Sequence, residues 1–141
     1  MRKIPPIKAV MTPFPYWIEI NASLTEADTM MLEHDISHLP VKENGEIAGV
    51  IAAYDIAQAR TDGKTLDGLT VAQVCVMNPY IVDMEEPLDN VALHLSNYHI
   101  GSAIVTKEDR LAGVFTVNDA CRFLAEFLRD QFRNLGGDDI A

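Results

Sequence analysis

Two aspartates close parallel phrases that share their Gly-Val opening, Gly49-Val50-Ile51-Ala52-Ala53-Tyr54-Asp55 and Gly113-Val114-Phe115-Thr116-Val117-Asn118-Asp119. In each, a strand-like apolar run gives way to helical spacing, so the aspartate falls in the first turn of a helix. Thr116 and Asp119 then have the spacing of a helix cap, a hydroxyl at the cap position and an acid three residues on, which stabilises any helix by about 1 kcal/mol. His34 and His38 are four apart, the interval of two metal ligands on one helical face. The helix is expected to end near Asp35, however, and no third ligand is apparent. Asp83, Glu85, Glu86 and Asp89 would offer carboxylates for acid–base work, yet they flank a helix start, where the backbone dipole favours acids. They read as a solvated, helix-stabilising group. No nucleophile–base pair, P-loop or Rossmann glycine motif occurs, so the chain does not read as an enzyme.

At 141 residues and 48% apolar content the chain is long enough for one compact domain with a sizeable core. Its formal charge of -10, with eleven scattered Lys and Arg, argues against nucleic acid as a partner, because neutralising phosphates needs clustered bases. The same charge repels a phosphate at long range, so any anion site must rely on local donors or on a cation that accompanies the ligand. No apolar run approaches the roughly 18 residues of a membrane span. Met1-Arg2-Lys3-Ile4-Pro5-Pro6 leads into no signal-type stretch, so the expected location is cytoplasmic, with no membrane contact. Cys75 and Cys121 form no short-spaced motif and read as small reduced hydrophobes.

The scaffold that must position these residues is written twice. Val10-Met11-Thr12-Pro13 returns as Val76-Met77-Asn78-Pro79 at an offset of 66 (76 minus 10), and Ile47 to Asp55 returns as Leu111 to Asp119 at an offset of 64 (111 minus 47). A repeated unit of this size must stack on its copy to bury its apolar face, which leaves clefts where the copies meet. In the first copy Trp17 to Ile20 reads as a strand. Ser23-Leu24-Thr25-Glu26 is a capping box opening a helix to about Asp35, with Leu24, Ala27, Met30 and Met31 as its stripe. Strands follow at Ile36 to Val41 and Ile47 to Ile51 around a Glu43-Asn44-Gly45-Glu46 hairpin, then a helix from Tyr54 to about Arg60. The second copy repeats this order, with Ile81-Val82, a helix opening at Pro87, strands over Ser102 to Thr106 and Leu111 to Phe115, and a helix from about Asn118. That last helix carries a longer apolar stripe, Ala120, Phe123, Leu124, Phe127, Leu128 and Leu135, and Gly136-Gly137 are expected to end it before an acidic tail. The units thus span 7–62 and 63–128, with 129–141 as the helix end and tail.

The two Met-x-Pro triplets, the Ile36-Ser37-His38-Leu39-Pro40-Val41 stretch and the two Gly-Val-x-x-x-x-Asp junctions, in this order and twice, resemble a tandem cystathionine-β-synthase (CBS) domain pair, or Bateman module, over about residues 7 to 128. The resemblance implies an α/β fold of two tandem β-α-β-β-α units packed with pseudo-twofold symmetry through their sheets, and commonly a homodimer. It also implies adenosine-containing ligands in the inter-unit clefts, each cleft built crosswise from the junction of one unit and the first strand and x-x-Pro-Val stretch of the other. Carried over, Thr116, Asn118 and Asp119 meet a wall of Ile18, Ile20 and Ala22 with Ile36, Ser37, His38, Leu39 and Pro40. The Asp119 carboxylate would accept hydrogen bonds from vicinal ribose hydroxyls, while Thr116 and free backbone N–H groups would meet a phosphate. His38 stands where relatives often carry an Arg that touches phosphate. The mirror site keeps Asp55 but has Ala52 in place of the hydroxyl, and its wall, Gly101, Ser102, Ala103 and Ile104, lacks the His and the Pro. It is expected to be weaker or empty, with Tyr54 either crowding it or stacking on a base.

The function so implied is a stand-alone regulatory or sensor module with no required cofactor and no resident metal. It binds AMP, ADP, ATP or a similar ligand, Mg2+ being the ion such a ligand can bring, and signals to an effector protein. The competing reading is a ligand-free dimerisation or protein-interaction module.

Overall fold

The computed structural model describes residues 3–139, with side chains described as far as Arg133. The chain order is β1 (Thr12–Pro13), β2 (Ile18–Glu19), α1 (Leu24–His34), β3 (His38–Glu43), β4 (Glu46–Ala52), α2 (Ala53–Thr61), α3 (Val71–Val74), β5 (Val76–Met77), β6 (Ile81–Asp83), α4 (Leu88–Tyr98), β7 (Ser102–Lys107), β8 (Arg110–Thr116) and α5 (Val117–Asp139). Two four-stranded sheets form, ordered β2-β3-β4-β5 and β1-β8-β7-β6. The β3–β4 and β7–β8 hairpins turn on residues with positive φ, Asn44-Gly45 and Glu108-Asp109. At the start of α1 the Ser23 hydroxyl accepts from Glu26 N at 3.1 Å, and a left-handed Asp35 ends the helix. The α/β fold of two repeated units is therefore the one the sequence implies.

The units do not keep their own leading segments. β1 pairs with β8 of the second unit, and β5 pairs with β4 of the first. Ile7, fully buried, joins the core of Val91, Val105 and Phe115, whereas Val71, also fully buried, joins Leu24, Leu39 and Ile56. Ile7 N donates to Glu86 O at 2.7 Å and Val71 N donates to Ala22 O at 2.8 Å, equivalent bonds on the two sides of the pseudo-twofold. The acidic group before α4 serves this exchange: Glu85 pairs with Lys8, and Asp83 Oδ2 accepts from Glu85 N at 3.0 Å. α3 is one turn long and shows no apolar period that a sequence reading could catch.

Pairing also corrects the register of the repeat. Pro13 faces Gly113 and Met77 faces Gly49, so the opening strands are related by the same 64 positions as the hairpins (113 minus 49, 77 minus 13). Aligning the Met-x-Pro triplets at 66 is two residues out of register. Strand side chains alternate with period two, so a slip of two preserves inside and outside and leaves no trace in the hydropathy pattern. A second correction concerns α5, which runs through Gly136 and Gly137 to Asp139 instead of ending there. Glycine weakens a helix by about 1 kcal/mol relative to Ala but places no steric block in its path. The side chain of Leu135, and Ile140-Ala141 of the expected tail, lie outside the described residues. Among the described residues, no helix is long and apolar enough to cross a membrane.

Each exchanged strand lies flat on a glycine. A Cβ on Gly49 would stand 2.5 Å from Val76 O, and one on Gly113 would stand 2.9 Å from Thr12 O. Gly49→Ala and Gly113→Ala are therefore expected to lower stability by about 1–3 kcal/mol each, the usual range for overpacking. Gly68→Ala, whose added methyl meets only Thr65 Oγ1 at 3.5 Å, is the control and should be near neutral. Denaturant titration of the three variants checks this.

Candidate functional site

Where β8 runs into α5, Thr116 and Asp119 form a reciprocal cap. Asp119 N donates to Thr116 Oγ1 at 3.2 Å and Thr116 N donates to Asp119 Oδ2 at 2.9 Å. Arg122, one turn on, donates to Asp119 Oδ1 at 3.1 Å. The cap borders a cleft of about 390 Å³, whose far wall comes from the segment before β2 and the turn after α1. That turn exists because the left-handed Asp35 lets Ile36 N bond back to Met31 O at 3.0 Å, which carries Ile36, Ser37 and His38 around to face α5. Tyr16 stacks on His34 beside them, ring centroids 3.7 Å apart.

The pseudo-equivalent cleft, about 580 Å³, lies where β4 runs into α2. Ala52 N donates to Asp55 Oδ2 at 2.8 Å, but Ala52 has no hydroxyl to complete the cap. Tyr54, Gly101 and Ser102 line this cleft, together with Tyr80, which stacks on His94 at 3.7 Å. His38 lines both clefts. Its Nδ1 lies 2.9 Å from Ser37 Oγ, and its Nε2 faces Gly101, where a Cβ would come within 3.0 Å. Burial pushes the His38 imidazole below its ordinary value of 6.5, while the Asp55 and Asp119 carboxylates work against that shift.

Of the residues the sequence proposed, the structure gathers Ile36, Ser37, His38, Thr116, Asn118 and Asp119 at the first cleft and Asp55, Gly101 and Ser102 at the second. It does not bring Ile18, Ile20, Leu39 or Pro40 to the opening, because their side chains are buried, and Ala22 packs against the same first-unit core. Ala103 is likewise fully buried. β3 is covered on both faces over Leu39, Pro40 and Val41, and only His38, at the strand start, stays partly open. His34 ends α1 and His38 begins β3, so the two histidines do not share a helical face. Sequence reasoning missed Arg122 and Tyr16. Both carry a signal once the copies are compared at 64 positions, since Gln58 stands opposite Arg122 and Tyr80 opposite Tyr16.

Two repeated α/β units that trade their leading strands and leave a helix-capping aspartate at each shared cleft define a paired-unit fold. The CBS domain family profile matches residues 7–62 and again 71–126, so the chain belongs to the CBS domain family. It is 32% identical over 118 residues to L-aspartate semialdehyde sulfurtransferase of Methanocaldococcus jannaschii, an alignment covering 82% of this chain and 22% of that protein. The chain thus spans about a fifth of the length of such curated relatives. The CBS domain-containing protein YhcV of Bacillus subtilis is 25% identical over 114 residues, 80% of this chain and 81% of that one. Among solved structures, the CBS domain pair of protein MJ0100 in complex with 5'-methylthioadenosine and S-adenosyl-L-methionine superposes with a TM-score of 0.80 at 29% identity, covering 88% of this chain and 98% of that one.

The lowered His38 value fixes the sign of a pH effect. The unfolded chain takes up this proton before the folded one, so the stability that neutral His38 confers is complete above about pH 6.5 and is lost as pH falls through 6.5 toward the folded-state value. His38→Gln should remove that component. Melting temperatures of both proteins across the acid range check it, the difference curve being flat above pH 6.5 and sloping below.

Proposed function

We propose that the chain binds an adenosine-containing ligand in the Asp119 cleft and conveys its occupancy to a partner protein. The observation that carries this is the convergence of Thr116, Asp119 and Arg122 from one unit with Ser37 and His38 from the other on a single opening. Asp119 Oδ2 uses one lone pair in the cap and Oδ1 uses one on Arg122, and each oxygen keeps another, a pairing suited to vicinal ribose hydroxyls. Arg122 supplies the local cation that a phosphate-bearing ligand needs in a chain of charge -10, and Mg2+ arriving with a di- or triphosphate would reinforce it. The methylthioadenosine and S-adenosylmethionine held by the MJ0100 pair support the adenosine portion as the shared element. Ligand seated between the units ties α5 to the turn after α1, so occupancy changes the stiffness of the joint that a partner would read.

The assembly reading has its own observation. α5 presents Leu124, Phe127, Leu128 and Phe132 to solvent, Phe132 at 59% exposure, beside an apolar groove of about 690 Å³ between α4, α5 and Lys3 to Pro5. A second copy is the occupant we assign, giving a twofold dimer in which both activities coexist.

Calorimetry with AMP, ATP, 5'-methylthioadenosine and S-adenosylmethionine tests the ligand reading. Asp119→Ala should cost about 1–3 kcal/mol of affinity through the lost acceptors. Arg122→Gln, which leaves the Thr116–Asp119 cap intact, should weaken AMP more than 5'-methylthioadenosine. Silence across the panel overturns the proposal. For assembly, light scattering should show twice the 15.6 kDa chain mass, reduced by a well-folded Phe127→Asp; a wild-type monomer overturns the dimer.

A further inference from the structure

Every histidine of the chain lines one of the two clefts. His34 and His38 border the Asp119 cleft, and His38, His94 and His99 border the other, which accounts for all four. The eleven Lys and Arg are placed in the opposite way, since Arg122 alone among them reaches either lining. Histidine is the side chain whose charge changes near neutrality. In a chain of formal charge -10, therefore, most of the positive charge that an anion in these clefts can meet has to come from protons.

His38 is placed to use this. Its ring stands in the wall between the clefts. Nδ1 lies 2.9 Å from the hydroxyl of Ser37, which lines the Asp119 cleft alone, and Nε2 faces Gly101, which lines the other alone. The charged groups around it are the Asp55 and Asp119 carboxylates, from α2 and α5, with Arg122 paired to Asp119. His34 and Asp35 face the first cleft from the end of α1, and His94 and His99 face the second from α4 and its cap. The remaining titratable groups of both linings are phenols, which carry no charge near neutrality. Burial outweighs the two carboxylates and makes the His38 ring hold its proton less tightly than an ordinary imidazole.

The Ser37 hydroxyl converts that proton into recognition. With the ring neutral and its hydrogen on Nε2, Ser37 donates to Nδ1 and offers the cleft only lone pairs, which repel an anion. With both nitrogens protonated, Nδ1 donates to Ser37 Oγ and the hydroxyl hydrogen is free to donate into the cleft. One proton thus adds a charge in the wall and reverses the hydroxyl in front of it. A phosphate gains from both changes, and an uncharged adenosyl ligand has no charge to meet them.

We propose that His38, acting through Ser37, couples the binding of a phosphate-bearing ligand in the Asp119 cleft to the uptake of a proton, so that the cleft turns toward anionic ligands as pH falls. The proposal rests on the reading of that cleft as an adenosine site and adds its regulation. Its sign follows from reciprocity. If the anion tightens the hold of His38 on its proton, the proton tightens the hold of the cleft on the anion by the same factor, and the gain is lost as pH rises.

Calorimetry of the whole chain with AMP and with 5'-methylthioadenosine, between about pH 6.5 and about pH 8, tests the coupling. AMP affinity should rise about fivefold from the upper to the lower limit, while that of 5'-methylthioadenosine, which has no phosphate, should stay within about twofold. Titrations in buffers of different ionisation heat should show net proton uptake with AMP. His38→Gln should flatten the AMP profile and abolish its share of the uptake, because the titration of AMP's own phosphate is common to both proteins. Ser37→Ala, at an exposed position, should flatten the profile as well. An AMP profile no steeper than that of 5'-methylthioadenosine, or one that either variant leaves unchanged, overturns the coupling and leaves the cleft a nucleotide site. No binding of AMP or 5'-methylthioadenosine at any pH in this window overturns both.

Discussion

Two strands can lie flush at their crossing only where no side chain stands between them, and in this molecule those crossings are Gly49 under β5 and Gly113 under β1. The edge strands come from the opposite unit, so each glycine is where one unit admits part of the other. The close approach completes each sheet and seats Ile7 and Val71 in cores they could not reach otherwise. It also fixes where the clefts fall. Thr12 to Tyr16 continue from β1 into the wall of the Asp119 cleft, and Asn78 to Tyr80 continue from β5 into the wall of the other. A pair of units merely stacked face to face would have neither wall.

The site chemistry grows out of helix capping. The first turn of α5 needs acceptors for its orphan N–H groups, and Thr116 and Asp119 meet that need with side chains that still have bonding capacity facing the cleft. The cap and ligand readings of these residues are therefore one arrangement and not rivals. In α2 the cap is half built, since Ala52 lacks the hydroxyl, yet the aspartate keeps the same position. His38 joins the two sites at their common border. It is held through Ser37 on one side and given room by the absence of a side chain at Gly101 on the other.

Most of the helices and both hairpins were legible in the sequence, because α1 and α5 carry side-chain caps, α4 opens after Pro87, all three carry apolar stripes, and the hairpins carry turn residues between apolar runs. The exchange of leading strands was not. β1 and β5 are two residues each, too short to show a period, and their partners lie in the other copy. The proposed wall residues Ile18, Ile20 and Leu39 illustrate a different limit. A strand of apolar residues beside a cleft is compatible with facing either the ligand or the core, and only the pleat decides, here in favour of the core. Arg122 was hidden for the opposite reason, since a lone arginine on an amphipathic helix looks like an ordinary solvent-facing residue until its carboxylate partner is located.

Trading segments also sets a schedule for synthesis. Pro6 bridges Pro87 and Ser23 bridges Thr70, so these residues find their partners 81 (87 minus 6) and 47 (70 minus 23) positions later. Closing a loop of that size costs conformational entropy before any contact rewards it. The two exchanges are not equal in time. β5 emerges after the sheet it joins and can dock at once, whereas β1 emerges first and must wait for β8. Until β8 is made, then, Ile7, Val10 and Met11 are without their core. The growing chain is exposed to trapping by chaperones or by other unfinished chains along this segment, and that exposure ends only when the β7–β8 hairpin is free to receive it.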